Sequence, residues 1–259
     1  MGVIVLKFGG TSVADTNRIR AAAEKALAEH KRGNDVVVVV SAMAGVTNRL
    51  IAYCQDFMPD ARGAAYDSVL ASGEQATSGL MALALQSIGL KSRDFQGWQI
   101  PIETDSLFSQ ARIAALDPAK LKACIAQGII PVISGFQGMT PDHRITTLGR
   151  GGSDTTAVAV AAALKAERCD IYTDVNAVYT TDPRLVAEAA PIPRITYEEM
   201  LEMAALGAKV LHPRAVELAM QYGLKLQVLS SFEPEIGSDL KGTLIGPEDE
   251  IWKKQSSQA

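Results

Sequence analysis

Residues 35–42 read DVVVVVSA, and the five consecutive valines decide the architecture. A half-buried strand alternates apolar and polar side chains, and an amphipathic helix turns a polar face outward within four residues. An unbroken β-branched run is what a strand needs when helices cover both faces of a parallel sheet. The pattern repeats on either side of it. VIVLKF (3–8) reads as a strand, and NRIRAAAEKALAEHKR (17–32) as an amphipathic helix linking it to the valine run. Downstream, AYDSVLASGEQATSGLMALALQSIG (65–89) is a long helix and GWQIPI (97–102) a short strand. A helix over 117–127 leads to a strand, IIPVISGF (129–136), and then to a hairpin around TPDHR (140–144). CDIYTDV (169–175) is the next strand, followed by helices over 196–205 and 213–222 and the strand KLQVLSS (225–231). Strands interleaved with helices predict an α/β fold, with a mostly parallel central sheet and helices on both faces.

Ligands of such sheets sit beyond the carboxyl ends of the strands. Four strands end in polar or glycine-bearing segments: Lys7 with GGTS, then SAMAGVTN, GFQG and TDVNAVYTTDPR. They are expected to build one shared cleft.

Composition bounds the function. The chain has 259 residues, 47% hydrophobic and 21% charged, with 25 basic and 29 acidic side chains for a net charge of −4. That balance argues against a nucleic-acid partner or a basic membrane-surface protein. No run approaches the roughly 18 apolar residues of a membrane span, and no secretion signal opens the chain, so a cytoplasmic protein is expected. Cys54, Cys124 and Cys169 lack CxxC spacing and read as small core residues. His30, His143 and His212 lack metal-ligand spacing. The Walker A and GxGxxG patterns are both missing, as is a GxSxG elbow.

What remains is a set of local motifs, each with two readings. In LKFGGTS (6–12), Lys7 either snorkels from the sheet edge or offers a point charge to phosphate oxygens beside glycine N–H groups. In SGEQATSGL (72–80), Glu74 is either a first-turn acid behind a Ser72 cap or a binding carboxylate. TDVNAVYTTDPR (173–184) is either a solvated loop or a contact surface for ribose and phosphates. In GAKVLHPRA (207–215), Lys209 lies between two helices and His212-Pro213 starts the second. TTLGRGGSDTTAVAVAAAL (146–164) resembles a phosphate loop, yet flanks its glycines with Arg150 and Asp154.

Taken together, KFGGTSV (7–13), SAMAGVTNRL (41–50), SGEQ (72–75), TTLGRGGSDTTA (146–157), YTDVNAVYTTDPR (172–184) and ITYEEMLEMAALGAKVLHPRA (195–215) resemble the aspartokinase family. The resemblance spans nearly the whole chain, and its first and fourth motifs are the most specific. It implies a three-layer α/β/α sandwich that phosphorylates the β-carboxylate of L-aspartate with ATP and Mg²⁺. That reaction opens the aspartate-derived amino-acid pathway. Another small-acid kinase of the same superfamily, or a catalytic subunit needing a regulatory partner, is the alternative.

On matching positions, the resemblance makes Lys7 and Asp154 catalytic. Ser41, Thr47, Glu74, Arg150, Gly151, Gly152 and Ser153 would face the amino acid, with Arg150 on its α-carboxylate and Glu74 on its α-amino group. Lys7, Gly9, Gly10, Thr173, Asp174, Tyr179, Arg184 and Lys209 would face the nucleotide. No protein side chain would ligate the metal directly, Mg²⁺ arriving on ATP. A carboxylate acceptor, with a pKa of about 4, is already ionised near neutrality, so no general base is required.

Residues 1–245 would form the catalytic domain, with the nucleotide side from about 170 onward. Residues 246–259 would be a tail where the family's regulatory ACT modules usually follow, and an internal site for lysine or threonine is not expected. The resemblance leaves open a homodimer or a regulatory partner chain. Asn176-Ala177 departs from the family's usual glycine-bearing turn, so that turn is expected to differ or to carry strain.

Overall fold

The valine strand sits at the heart of the molecule: Val36 to Val40 are all at most 2% exposed. The computed structural model describes residues 2–208, 210–233 and 241–252, and all that follows concerns these. Eight strands form the central sheet. In chain order they are β1 (Val3–Phe8), β2 (Asp35–Val40), β3 (Ser92–Phe95), β6 (Ile130–Ser134), β9 (Arg168–Thr173), β12 (Arg194–Thr196), β13 (Leu226–Ser230) and β14 (Thr243–Gly246). Their spatial order is β12-β14-β13-β9-β1-β2-β6-β3. Every pairing is parallel except that of β13 with β14. A second sheet, β5-β4-β7-β8, is built from β4 (Ile102–Thr104), β5 (Ile113–Leu116), β7 (Gln137–Met139) and β8 (Ile145–Thr147). A small hairpin pairs β10 (Val178–Tyr179) with β11 (Pro191–Ile192).

Helices cover both faces of the central sheet, which makes the three-layer sandwich. On one side α1 (Thr16–Lys31) and α3 (Ala64–Ser87) pack Ile19, Ala22, Met81 and Leu85 against Ile4, Leu6 and Phe8. On the other, α4 (Ala119–Ala126), α5 (Gly152–Leu164), α6 (Tyr197–Ala205) and α7 (Pro213–Tyr222) bury Leu121, Val158, Met200 and Val216 against Val5, Val37 and Ile171. The two valine sets of β2, 37 and 39 against 36, 38 and 40, divide between these cores, as the two-residue strand period requires. Local chemistry sets the helix starts. Asp15 caps α1, a Thr196–Glu199 capping box opens α6, and Pro213 occupies the first turn of α7 behind His212.

Three expectations need correction. Residues 97–102 are not one strand: 97–101 are turns, β3 ends before them at Phe95, and β4 begins only at Ile102. Ile100, in the turns, is as fully buried as Ile102, which opens β4, so apolarity alone extends the apparent strand backwards. The true edge strand β3 reads SRDF and buries one residue, Phe95, too little for a hydropathy signal. The segment after Ser41 is not only a loop. It continues into α2 (Val46–Phe57), a helix with no buried residue that enters through Gly45 at φ 78°. Finally, the segment expected to be a tail after 245 carries α8 (Glu248–Trp252), with Ile251 buried and Lys225 paired to Glu250 at 2.6 Å.

Candidate active site

A cleft of about 910 Å³ opens beyond the carboxyl ends of β1, β2 and β6, walled by the 41–47 segment, α3 and the N-terminus of α5. Lys7, the penultimate residue of β1, is flanked in the sheet by Val39 and Ile171. Its ammonium reaches Asp154 in the first turn of α5 at 2.6 Å, and both residues are only 8% exposed. The snorkelling alternative for Lys7 therefore fails: the side chain turns inward to a buried partner.

The backbone that brings Asp154 there is tight. Gly149 and Gly151 have φ of 74° and 69°, in the left-handed region that favours glycine. A Cβ on Gly151 would collide with the His212 side chain, and one on Gly152 would come within 2.8 Å of the Phe136 ring. Phe136 itself stands at φ 69° with its N–H bound to the Thr156 hydroxyl at 3.1 Å, a strained placement for a bulky residue. Ser153 is buried against Gly135, and Arg150 is exposed at the rim.

Glu74 lies in the middle of α3, not in its first turn. Ser72 caps nothing, since its hydroxyl donates to the Val69 carbonyl within the helix. Glu74 Oε1 accepts the Ala42 N–H at 2.9 Å, while Oε2 is buried with no protein hydrogen-bond partner among the described residues. Burial is the main influence on its carboxyl, raising the pKa from 4.5 to about 7, with the Ala42 N–H pulling the other way. A carboxylate left half-satisfied beside an open cleft is primed for a cation.

The expected residues divide into two groups. Lys7, Gly10, Ser41, Thr47, Glu74, Arg150, Gly151, Gly152, Ser153 and Asp154 all line the cleft. Gly9 does not, and its N–H is committed to the Tyr172 carbonyl at 3.2 Å. Nor does the fourth strand-end segment, 173–184, which folds on itself instead. Thr173 donates to Asp174, Tyr179 to Asn176, and Arg184 pairs with Asp182 at 2.7 Å in solvent. The four segments thus build a three-walled cleft with the fourth beside it. Ala177 is buried and keeps φ out of the left-handed region, so its turn differs from a glycine turn rather than storing strain. Lys209 lies outside the described residues.

Sequence reasoning passed over Phe136, Thr147, His212 and Arg214, which also line the cleft. His212 Nδ1 accepts the Arg214 N–H at 3.3 Å, and Arg214 donates to the Leu148 carbonyl at 3.2 Å, fastening α7 to the glycine loop. The HPR run was visible as a helix start, but nothing local announced that this helix end faces the loop at 149–152.

Residues 2–230 match the model of the amino acid kinase family. An aspartokinase from Rickettsia bellii is 48% identical over 98% of this chain and 63% of its own length. The crystal structure of aspartate kinase from Synechocystis superposes with a TM-score of 0.84 at 44% identity, over 95% of this chain and 40% of that one. E. coli aspartokinase III, in complex with aspartate and ADP, gives the same TM-score at 31% identity, over 95% and 64%. The chain spans about three-fifths of the length of the curated relatives it matches.

Proposed function

The chain belongs to the amino acid kinase family, and we propose that it transfers the γ-phosphoryl group of ATP to the β-carboxylate of L-aspartate, giving 4-phospho-L-aspartate and ADP. The observation that carries this reading is the placement in one cleft, beside the Lys7–Asp154 pair, of a buried carboxylate, Glu74, whose Oε2 has no partner among the described residues, and of the exposed guanidinium of Arg150 at the rim. A zwitterionic acceptor needs one anion and one cation at fixed separation, and a nucleotide acceptor would have no use for that combination. The aspartokinase relatives and the E. coli structure with aspartate and ADP support it.

In this reading a β-carboxylate oxygen attacks the γ-phosphorus as the bond to the β-phosphate oxygen breaks. The acceptor is ionised beforehand, so the protein's work is positioning and charge neutralisation. Lys7 places an ammonium on the transferring oxygens, and Asp154 holds it there at 2.6 Å. Arg150 takes the α-carboxylate, Glu74 Oε2 the ammonium, and Ser41, Thr47 and Ser153 flank the reacting end with Gly151 and Gly152. Gly10, Thr173, Asp174, Tyr179 and Arg184 face the nucleotide, a role the family resemblance also gives to Lys209. Asp154, the carboxylate at the transfer point, is engaged by Lys7, so in this reading the metal travels on the nucleotide. Bound there, Mg²⁺ would neutralise charge on the phosphates.

Hydroxylamine trapping of acyl phosphate with aspartate, glutamate and N-acetylglutamate, and ADP release with these and with UMP, test the assignment. Aspartate should give the hydroxamate with ADP release; turnover of another acceptor in its place would discard it.

A further inference from the structure

Setting aside Asp154 Oδ1, which faces the Lys7 ammonium, the cleft holds one more buried oxygen besides Glu74 Oε2 without a protein hydrogen-bond partner among the described residues, Thr147 Oγ1. Thr147 is 1% exposed and ends β8, an edge strand of the smaller sheet. Its neighbour Thr146 directs its hydroxyl to that of Thr104 at 2.6 Å, on one face of that sheet. The two-residue period of a strand therefore gives Thr147 to the other face, the side on which β8 packs against α3. On α3, Asp67, Leu70 and Glu74 share a face by their i, i+3, i+7 spacing.

Asp67 is fully buried, yet it does not cap its own helix, which starts at Gly63 without a side-chain cap. Its Oδ2 accepts the Thr147 N–H at 2.7 Å and the Ser109 N–H at 2.8 Å, and its Oδ1 accepts the Ser109 hydroxyl at 3.0 Å. The Ala111 N–H meets the Thr147 carbonyl at 3.0 Å. The carboxylate thus takes the place of a missing strand on the open edge of β8 and pins Thr147 through its backbone. The same clamp holds Ser109 at φ 69° and sets its carbonyl so close to Gly149 that a Cβ there would lie 3.0 Å away.

Both orphaned oxygens, Glu74 Oε2 and Thr147 Oγ1, can accept hydrogen bonds. Both residues line the one cleft, and an ammonium carries three donors and no acceptor, so one such group seated between them would satisfy both. A carboxylate in the same place would be repelled by Glu74. We propose that Thr147 is a further acceptor-contacting residue, its hydroxyl sharing with Glu74 the recognition of the substrate's ammonium, and that Asp67 is the positioning residue that holds it. The proposal rests on the amino-acid acceptor reading above.

The test uses Thr147→Val, which keeps the shape and removes only the hydroxyl, with Thr147→Ser as the conservative rescue. The KM for aspartate should rise roughly tenfold in the valine variant, the size expected for a hydrogen bond to a charged group, and return near wild type in the serine variant. The KM for ATP and the melting temperature should stay level. The preference for aspartate over succinate, which lacks the amine, should shrink by the same factor. Asp67→Asn should show the same split between KM values, together with faster amide exchange across 109–111 and 145–150. An unchanged aspartate KM in Thr147→Val overturns the proposal, as does a parallel rise in both KM values, which would mark a merely structural residue. If the wild-type chain phosphorylates no amine-bearing acid, the acceptor reading and this proposal fall together. If it phosphorylates aspartate and Thr147→Val keeps full discrimination against succinate, only the proposal falls.

Discussion

The wall of the cleft and the loop beside it hold their charges in opposite ways. Lys7, Glu74 and Asp154 are 4–8% exposed and fixed by an ion pair or a backbone N–H. Asp174 and Arg184, on the 173–184 segment, stand in solvent, and the Arg184 side chain is 85% exposed beside Asp182. A buried charge is costly unless it is partnered, so the first region must be arranged before any ligand arrives. An exposed pair contributes little to stability, and its geometry becomes worth something only when a ligand orders it. Pre-organisation therefore belongs to the cleft, where the proposed function seats the acceptor, and adaptability to the 173–184 segment, where it seats the nucleotide.

The sharpest way to break that contrast is Lys7→Ala. It should lower kcat by about 10²–10³, as the loss of a preorganised charge contact does, with aspartate binding mostly intact. It should also destabilise the fold by ~3 kcal/mol, since Asp154 is left buried without its cation. Single-turnover kinetics and denaturant melts measure both, and near-normal turnover would remove Lys7 from the mechanism.

Next in size is Glu74. Its folded pKa of about 7 lies above the ordinary 4.5, so the folded chain holds this proton more tightly than the unfolded one. Its contribution favours the fold at low pH and is lost as pH rises from 4.5 to 7, by ~3 kcal/mol for a shift of this size. Aspartate affinity should run the other way, weakening below pH 7 as the carboxylate that attracts the ammonium is protonated. Glu74→Gln should flatten both profiles, and melting curves with aspartate titrations across that range would show whether it does.

Arg150→Ala comes third, with the KM for aspartate rising roughly tenfold and that for ATP unchanged, because a charged bidentate contact is lost from one substrate only. Equal effects on both substrates would erase the boundary between the two regions. The smallest effect belongs to Arg184→Ala: the melting temperature should not move, and only the KM for ATP should respond. A large loss of stability would show that this loop is as pre-organised as the cleft.

Much of this molecule was legible in its residues. The valine run, VIVLKF and the helix between them have unmistakable periods, because a side chain buried on a repeating face leaves its mark every two or three and a half residues. The edge strand SRDF left none, having one buried residue, and the buried Ile100 imitated a strand from within turns. At the site, the motifs carry Lys7, Glu74, Arg150 and Asp154, and all four line one cleft. The reading of Glu74 as a capped first-turn acid was wrong because capping depends on where the helix begins, and α3 begins ten residues earlier.

By itself, then, the sequence determined the α/β class, the parallel sheet and the set of charged residues at the strand ends. Only the tertiary structure decided which of them meet. It put Asp154 on Lys7, left Glu74 Oε2 open, kept the 173–184 segment out of the cleft, and brought in Thr147, Asp67 and His212. Asp67 finds its partners 42 and 80 positions along the chain, and a contact at that separation carries no local period. Hydrophobic pattern specifies which faces are buried; which polar atoms are left without partners is settled only when those faces have packed.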